Sequence, residues 1–309
     1  MEIQSDLFDI SPEPQGKHND TKEELAALDE MFAASRVYRS SAEYMDMLNF
    51  ICRFKKYSPF NCFLLYTQNP AVSYVATVGQ WQRKFKRKPK PDARPLVILA
   101  PRSPVLFVYD LKDTEGSSPV PTHLLRPFNT EGRLKNTVYD NTVHNSNMHG
   151  IEIRQVILRH YHGGSAIKLT PRMRQQYSPL ELAHDSRYLI LLSRESTLED
   201  NYSSAVHELG HIFCGHLGVD QEAWWRDRQG MGKTEVEIEA ESVSFLVCRR
   251  QGLLASSENY LSSYRTADDH DVPPLSLKTI FQATTYIEEM GKSKWGKPKK
   301  KSRYKTSGQ

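Results

Sequence analysis

The segment that most restricts what this chain can become is His207-Glu208-Leu209-Gly210-His211. Its surroundings read as one long helix from about Leu198 to Leu217, entered through the capping-box spacing of Ser196 and Glu199 and ended by Gly218. Two histidines four positions apart on a helix are rotated by about 40° from one another, so both imidazoles leave one face within reach of a single ion. Glu208 is one step from His207, close enough to approach that ion's open side without being a ligand. Val206, Leu209, Ile212 and Phe213 make the helix apolar around these three groups, and burying them without a metal or partners is unfavourable. The arrangement suits hydrolysis: zinc lowers the pKa of its water to about 7, and a carboxylate takes the proton as the water attacks a carbonyl.

Two histidines alone leave such a site too open, so a third ligand is expected. The extended motif with a third histidine ten residues after the first is missing, because position 217 is Leu and Cys214 stands at the intermediate glycine position. His216 is out of register by one and is weighed both as a ligand and as a cap for the helix end. A second helix is expected over Thr234–Gln251, carrying Glu235, Glu237, Glu239 and Glu241. Glu237 and Glu241 share a face, whereas Glu239 points away. One of the pair is expected to bind the ion and the other to hydrogen-bond a ligand histidine. Glu237 is the first choice, although Thr234 to Glu237 also has capping-box spacing.

Upstream, the periodicity predicts helices over about 41–56, opened by the Ser40–Glu43 capping box, and from Ser58 to before Asn69-Pro70. Leu96–Ala100 and Val105–Asp110 read as a hairpin, and Ile151–Leu158, Ala166–Leu169 and Tyr188–Leu192 as further strands. Residues 112–150 show no clear period and receive no element. Tyr188–Ser193 is expected to align an extended substrate by strand addition, and Tyr260, Tyr264 and His270 are candidate donors to an oxyanion. The fold class is α+β: a domain over 150–290 holding the motif helix and the glutamate helix, preceded by a smaller α+β domain over 21–149.

Arg83, Lys84, Lys86, Arg87, Lys88, Lys90 and Arg94 cluster beside Tyr74, Trp81 and Phe85. Cations interleaved with aromatics suit single-stranded nucleic acid, whose phosphates need charge and whose bases need stacking platforms. The last nineteen residues, 291–309, carry eight basic residues and no acid, leaving −4 on the rest of a chain whose total is +4. Residues 1–20 and this tail are expected to be disordered. No apolar run approaches the roughly 18 to 20 residues needed to span a bilayer, and the N-terminus lacks a signal-peptide pattern; a cytosolic protein with no membrane partner is expected. The isolated Cys52, Cys62, Cys214 and Cys248 read as reduced, mostly buried thiols.

His207-Glu208-x-x-His211 together with Glu237-x-x-Ala240-Glu241 resembles the ImmA/IrrE family of metallo-endopeptidases and the related peptidase domain of ArdC-type antirestriction proteins. Trp224-Trp225, Cys248 to Leu253 and the segment from Ser257 to Tyr264 resemble longer members of that group. Tyr57 to Asn61, Trp81 and Arg94 to Leu99 resemble the N-terminal region of ArdC-like proteins. The resemblance implies a zincin-like domain, a Zn2+ ion with Glu237 as its glutamate ligand, a protein substrate such as a transcriptional regulator, and single-stranded DNA binding upstream. No helix-turn-helix precedes the motif helix, unlike shorter relatives. The rival of a different class is a DNA-binding antirestriction or regulatory module whose metal is structural.

Overall fold

A computed structural model describes residues 41–100, 105–116, 132–157, 164–219, 223–254, 261, 273 and 275–296. In chain order its elements are α1 (Ser41–Arg53), α2 (Pro59–Gln68), β1 (Val75–Ala76), α3 (Val78–Phe85), β2 (Arg87–Pro89), β3 (Leu96–Ile98), β4 (Leu106–Asp110), β5 (Thr114–Gly116), α4 (Asn136–Met148), β6 (Ile151–Val156), β7 (Ser165–Lys168), α5 (Pro171–Gln176), β8 (Tyr188–Ser193), α6 (Leu198–Phe213), α7 (Lys233–Gln251) and α8 (Leu277–Lys292). The architecture is mixed α+β. No helix among the described residues is long and apolar enough to cross a membrane.

Local chemistry sets most boundaries. Ser58 caps α2 by accepting from the Asn61 N–H, with Pro59 in the first turn. Thr77 and Gln80 form a reciprocal capping box at α3. At α6 the cap is Thr197, whose hydroxyl accepts from the Asp200 N–H, so the expected cap at Ser196 is displaced by one residue. The same helix stops at Phe213 rather than running to Leu217, and α7 starts from Gly232 with no side-chain cap, so Thr234 does not take the capping role its spacing suggested.

Three small sheets are present among the described residues: β1-β4-β3 and β2-β5, both antiparallel, and a mixed sheet in the order β6-β8-β7. In the last, β6 runs parallel and β7 antiparallel to β8. The continuous apolar run of β8 is explained by this central place, buried on both faces. It also overturns strand addition at Tyr188–Ser193, because both edges of that strand are already paired; among the described residues the outer strands of the sheet are β6 and β7.

The larger of two hydrophobic clusters among the described residues runs from Tyr44 and Met47 through Val108 to Ile151, Val206, Phe245 and Met290, across the expected boundary between residues 149 and 150. Arg250, near the end of α7, reinforces the crossing: its guanidinium donates to the carbonyls of Ile51, Phe54 and Tyr57 and pairs with Glu288 at 2.6 Å. These groups satisfy the last turn of α1 and the turn after it, where backbone acceptors lack helical partners.

Two features depart from the reading above. Helix α4 occupies part of the unassigned 112–150 stretch, and its buried face is polar: Asn145 donates to the carbonyls of Met290 and Ser293, while Ser146 and Thr142 bond back to the preceding turn. Residues 291–296, expected to open a disordered tail, pack against the same helix, with the Trp295 N–H donating to Asn145 Oδ1 at 2.9 Å. The charged remainder, 297–309, and residues 1–20 lie outside the described residues.

Candidate metal centre

Helices α6 and α7 approach one another through their smallest side chains. A Cβ at Gly210 would stand 3.3 Å from Ala240 Cα and 3.4 Å from Val243 Cβ, tighter than ordinary contact. This approach sets the histidine face of α6 against the first turns of α7. His207 Nε2 and His211 Nε2 are 3.1 Å apart. Glu237 Oε2 is 3.7 Å from the first and 3.8 Å from the second. Behind this trio, Glu241 Oε1 is 3.4 Å from His207 Nδ1. The structure thus brings together His207, His211 and Glu237, all half-buried and within 4.8 Å of one another, as a group able to hold a metal ion, with Glu241 on the outer nitrogen of a histidine.

The donor set fits a divalent cation. Two imidazole nitrogens each about 2.05 Å from one zinc ion, at near-tetrahedral angles, lie roughly 3.1 to 3.4 Å apart, the spacing the two histidines already have. The carboxylate oxygen would need to close by only a few tenths of an ångström. Electrostatics agree. Burial alone would lower the His207 pKa, but the hydrogen bond and charge of Glu241, with the charges of Glu208 and Glu237, outweigh it and raise it. His211 is pushed down to about 3 by burial and by its two histidine neighbours. Two imidazole nitrogens and a carboxylate oxygen thus converge, and a cation between them satisfies all three.

Glu208 lies beside this trio and is nearly buried, 8% exposed. Burial raises its pKa, an effect that the His207 charge and the Ala166 N–H only partly offset; the charges of Glu237 and Glu241 raise it further. Ala166 belongs to β7, and the chain just before that strand passes so close to the carboxylate that a Cβ at Gly164 would meet Glu208 Cγ at 3.0 Å. The carboxylate is thus clamped between its own helix and an edge strand.

His216 is not in the trio. Its ring stands behind His211, with Nδ1 3.0 Å from His211 Nδ1 and Nε2 3.1 Å from Glu239 Oε2. Glu239, the glutamate that faces away from the trio, is fully buried at 0% exposure and takes Arg228 in a bidentate pair at 2.5 and 2.8 Å. The Ser276 N–H donates to it at 2.9 Å. Burial would raise the Glu239 pKa, but these partners outweigh it and lower it. Reading the α7 glutamates by face alone missed this buried group; the signal available was His216 itself, a histidine just past the motif helix in need of an acceptor. Cys214, His216 and Glu239 also lie within 4.8 Å, but Arg228 already occupies the carboxylate with positive charge. All four cysteines are buried and free, and burial pushes Cys52, Cys62 and Cys248 up to about 12.

The upstream cluster divides. Arg83, Lys84, Lys86 and Lys88 are exposed, while Arg87 is half-buried and tied to Thr114, and Lys88 pairs with Glu115 at 3.4 Å. Trp81 corrects the expectation: it is 1% exposed, donates its indole N–H to the Tyr109 carbonyl and packs edge-on against Tyr74 and at a tilt to Phe85. No face of that ring is left for a base. Tyr260, Tyr264 and His270 lie outside the described residues.

No protein-family profile and no curated protein matches the sequence. Among solved structures, the chain is similar to the Mn(II)-bound antirestriction ArdC protein from the R388 plasmid, at 14% identity and a TM-score of 0.34, over 76% of this chain and 82% of that one. A likeness this distant establishes neither family nor chemistry, and the metal-site geometry stands on this chain's own residues.

Proposed function

We propose that the chain is a zinc-dependent peptidase of zincin-like architecture, in which His207, His211 and Glu237 hold the ion, Glu241 orients His207 and Glu208 is the general base. The observation that carries this reading is Glu208: a carboxylate with a raised pKa, clamped beside three convergent acceptors. A structural zinc site closes its shell with four protein ligands and has no use for such a base, whereas three ligands with an adjacent carboxylate are the pattern of an open, catalytic one. When bound, the ion supplies Lewis acidity, polarising a carbonyl and making water acidic near neutral pH. Glu208 accepts the proton of the attacking water at its carboxylate and later delivers it to the leaving amine.

The mixed sheet supports the zincin-like and peptide-directed parts of the reading. Its antiparallel strand β7 lies at an edge, next to the motif helix, with Ala166 bonded to Glu208. An extended peptide paired on such an edge lies along the centre with its main chain in register. The experiment is Glu208→Gln: the variant is expected to keep its zinc and lose peptide hydrolysis by about 10²- to 10⁴-fold, and unchanged hydrolysis would end the catalytic assignment.

The exposed cations on α3 and β2 favour a second reading, in which the chain contacts single-stranded DNA through phosphates alone and acts as an antirestriction or regulatory module. It predicts a log affinity that falls linearly with log salt and weakens in Lys84→Glu/Lys86→Glu; salt-independent binding, or none, would contradict it.

A further inference from the structure

We propose that His216 is a positioning residue for the metal centre, holding His211 in the one tautomer that aims a bare Nε2 at the ion; this rests on the metal reading above. Glu239 carries only acceptors, since its paired Arg228 and the Ser276 N–H leave it ionised, so His216 must donate its Nε2–H across the 3.1 Å contact. In that Nε2–H tautomer the lone pair sits on Nδ1, 3.0 Å from His211 Nδ1. That contact is a hydrogen bond only if His211 donates from Nδ1, which leaves His211 Nε2 without a proton and pointing at His207 Nε2.

The chain is built to hold this relay. Gly215 has φ +80°, and a Cβ there would collide with the Arg226 carbonyl, so glycine lets the chain reverse after α6 and return the His216 ring beneath His211. The His216 side chain is 3% exposed and Glu239 0%, so water cannot replace either partner. Arg228 anchors the far end, bonding also to the Cys214 carbonyl. His207 has a shorter version of the same support in Glu241, so each ligand histidine is oriented through Nδ1, one directly by a carboxylate and the other through an interposed imidazole.

The test uses the full-length chain with Zn2+ and Co2+ as probes, in competition with a chromophoric chelator. His216→Leu is expected to weaken binding by about 10- to 100-fold at an unchanged stoichiometry of about one, and to shift the Co2+ absorption spectrum. His216→Asn, which places an amide oxygen near the lost Nδ1, is expected to recover most of that loss. Wild-type affinity and spectrum in His216→Leu would overturn the role, as would loss of a second metal equivalent, which would make His216 a ligand of its own site. Should the leucine variant not fold, nitrogen-15 NMR of the wild-type histidines decides: Nδ1–H on His211 with Nε2–H on His216 is expected, and the reverse pair overturns the proposal. Zinc binding that survives both His207→Ala and His211→Ala would instead remove the centre itself.

Discussion

Gly210 and Ala240 meet where α6 crosses α7, so closely that a methyl group between them would push the helices apart by a few tenths of an ångström: a Cβ at 210 would stand 3.3 Å from both the Ala240 Cα and its carbonyl oxygen. The unspecified fourth position of the motif is therefore the contact that sets the distance between the two histidines and the two glutamates. Gly210→Ala is expected to destabilise the fold by about 1 to 3 kcal/mol through overpacking and to weaken zinc binding, because Glu237 already stands a few tenths of an ångström wide. Urea unfolding and chelator competition measure the two effects; unchanged values of both would show that the helices are free to adjust.

Arg250 links α7 to α1 and α8 through buried carbonyls and Glu288. Removing one partner of a buried, fully bonded pair leaves the other uncompensated, a loss of about 3 to 5 kcal/mol. Arg250→Ala is expected to lower the urea midpoint accordingly, with the upstream and downstream halves unfolding in one transition. Two separated transitions in the wild-type chain would contradict the shared core.

Trp81 is a core residue, so its replacement acts on stability. Trp81→Ala is expected to lose about 3 to 5 kcal/mol, while Trp81→Phe, which keeps an aromatic ring, leaves any single-stranded DNA affinity of the folded chain unchanged. A fluorescence titration in which Trp81→Phe selectively weakens DNA binding would return the ring to the nucleic-acid surface.

Legibility in the sequence followed how local the physics was. The α2 helix with its Ser58 cap and Pro59, the β3–β4 pair and the helix carrying His207 and His211 each announce themselves through near neighbours. Helix α4 did not, because it buries polar side chains, Asn145 satisfied by carbonyls of α8 and the chain after it and Thr142 and Ser146 by the preceding turn of α4 itself, so no apolar period exists to be read. Trp81 beside a run of cations has the composition of a stacking platform, but only the tertiary position of Tyr109 shows that its ring faces inward. The place of Tyr188–Ser193 depended on strand order, which an apolar run does not encode. Glu239 was set aside because helical periodicity assigns a face and cannot say what the opposite face meets.

His149 gives a pH dependence with a definite sign. Burial and the Arg187 charge push its pKa down to about 4, and its ring bonds the Tyr286 hydroxyl at 2.7 Å. An unfolded histidine titrates near 6.5, so below that pH the unfolded chain gains a proton the folded chain does not. Stability present above about pH 6.5 is lost as pH falls toward 4. His149→Phe is expected to be less stable at neutral pH, the Tyr286 hydroxyl losing its bond to the ring while keeping the one to Trp224, and to show a shallower acid slope. Urea midpoints at about pH 7.5 and pH 5 test this; an unchanged slope in the variant would assign the acid loss to other groups, His211 first among them.

Metal content is the most direct test of the convergence of His207, His211 and Glu237. Elemental analysis of the full-length protein, purified without chelator and dialysed against zinc, is expected to give about one ion per chain for the wild type and almost none for His211→Ala, with both proteins folded by circular dichroism. A wild type that retains no zinc, or a His211→Ala variant that retains as much, would contradict the shared centre and the hydrolase built on it.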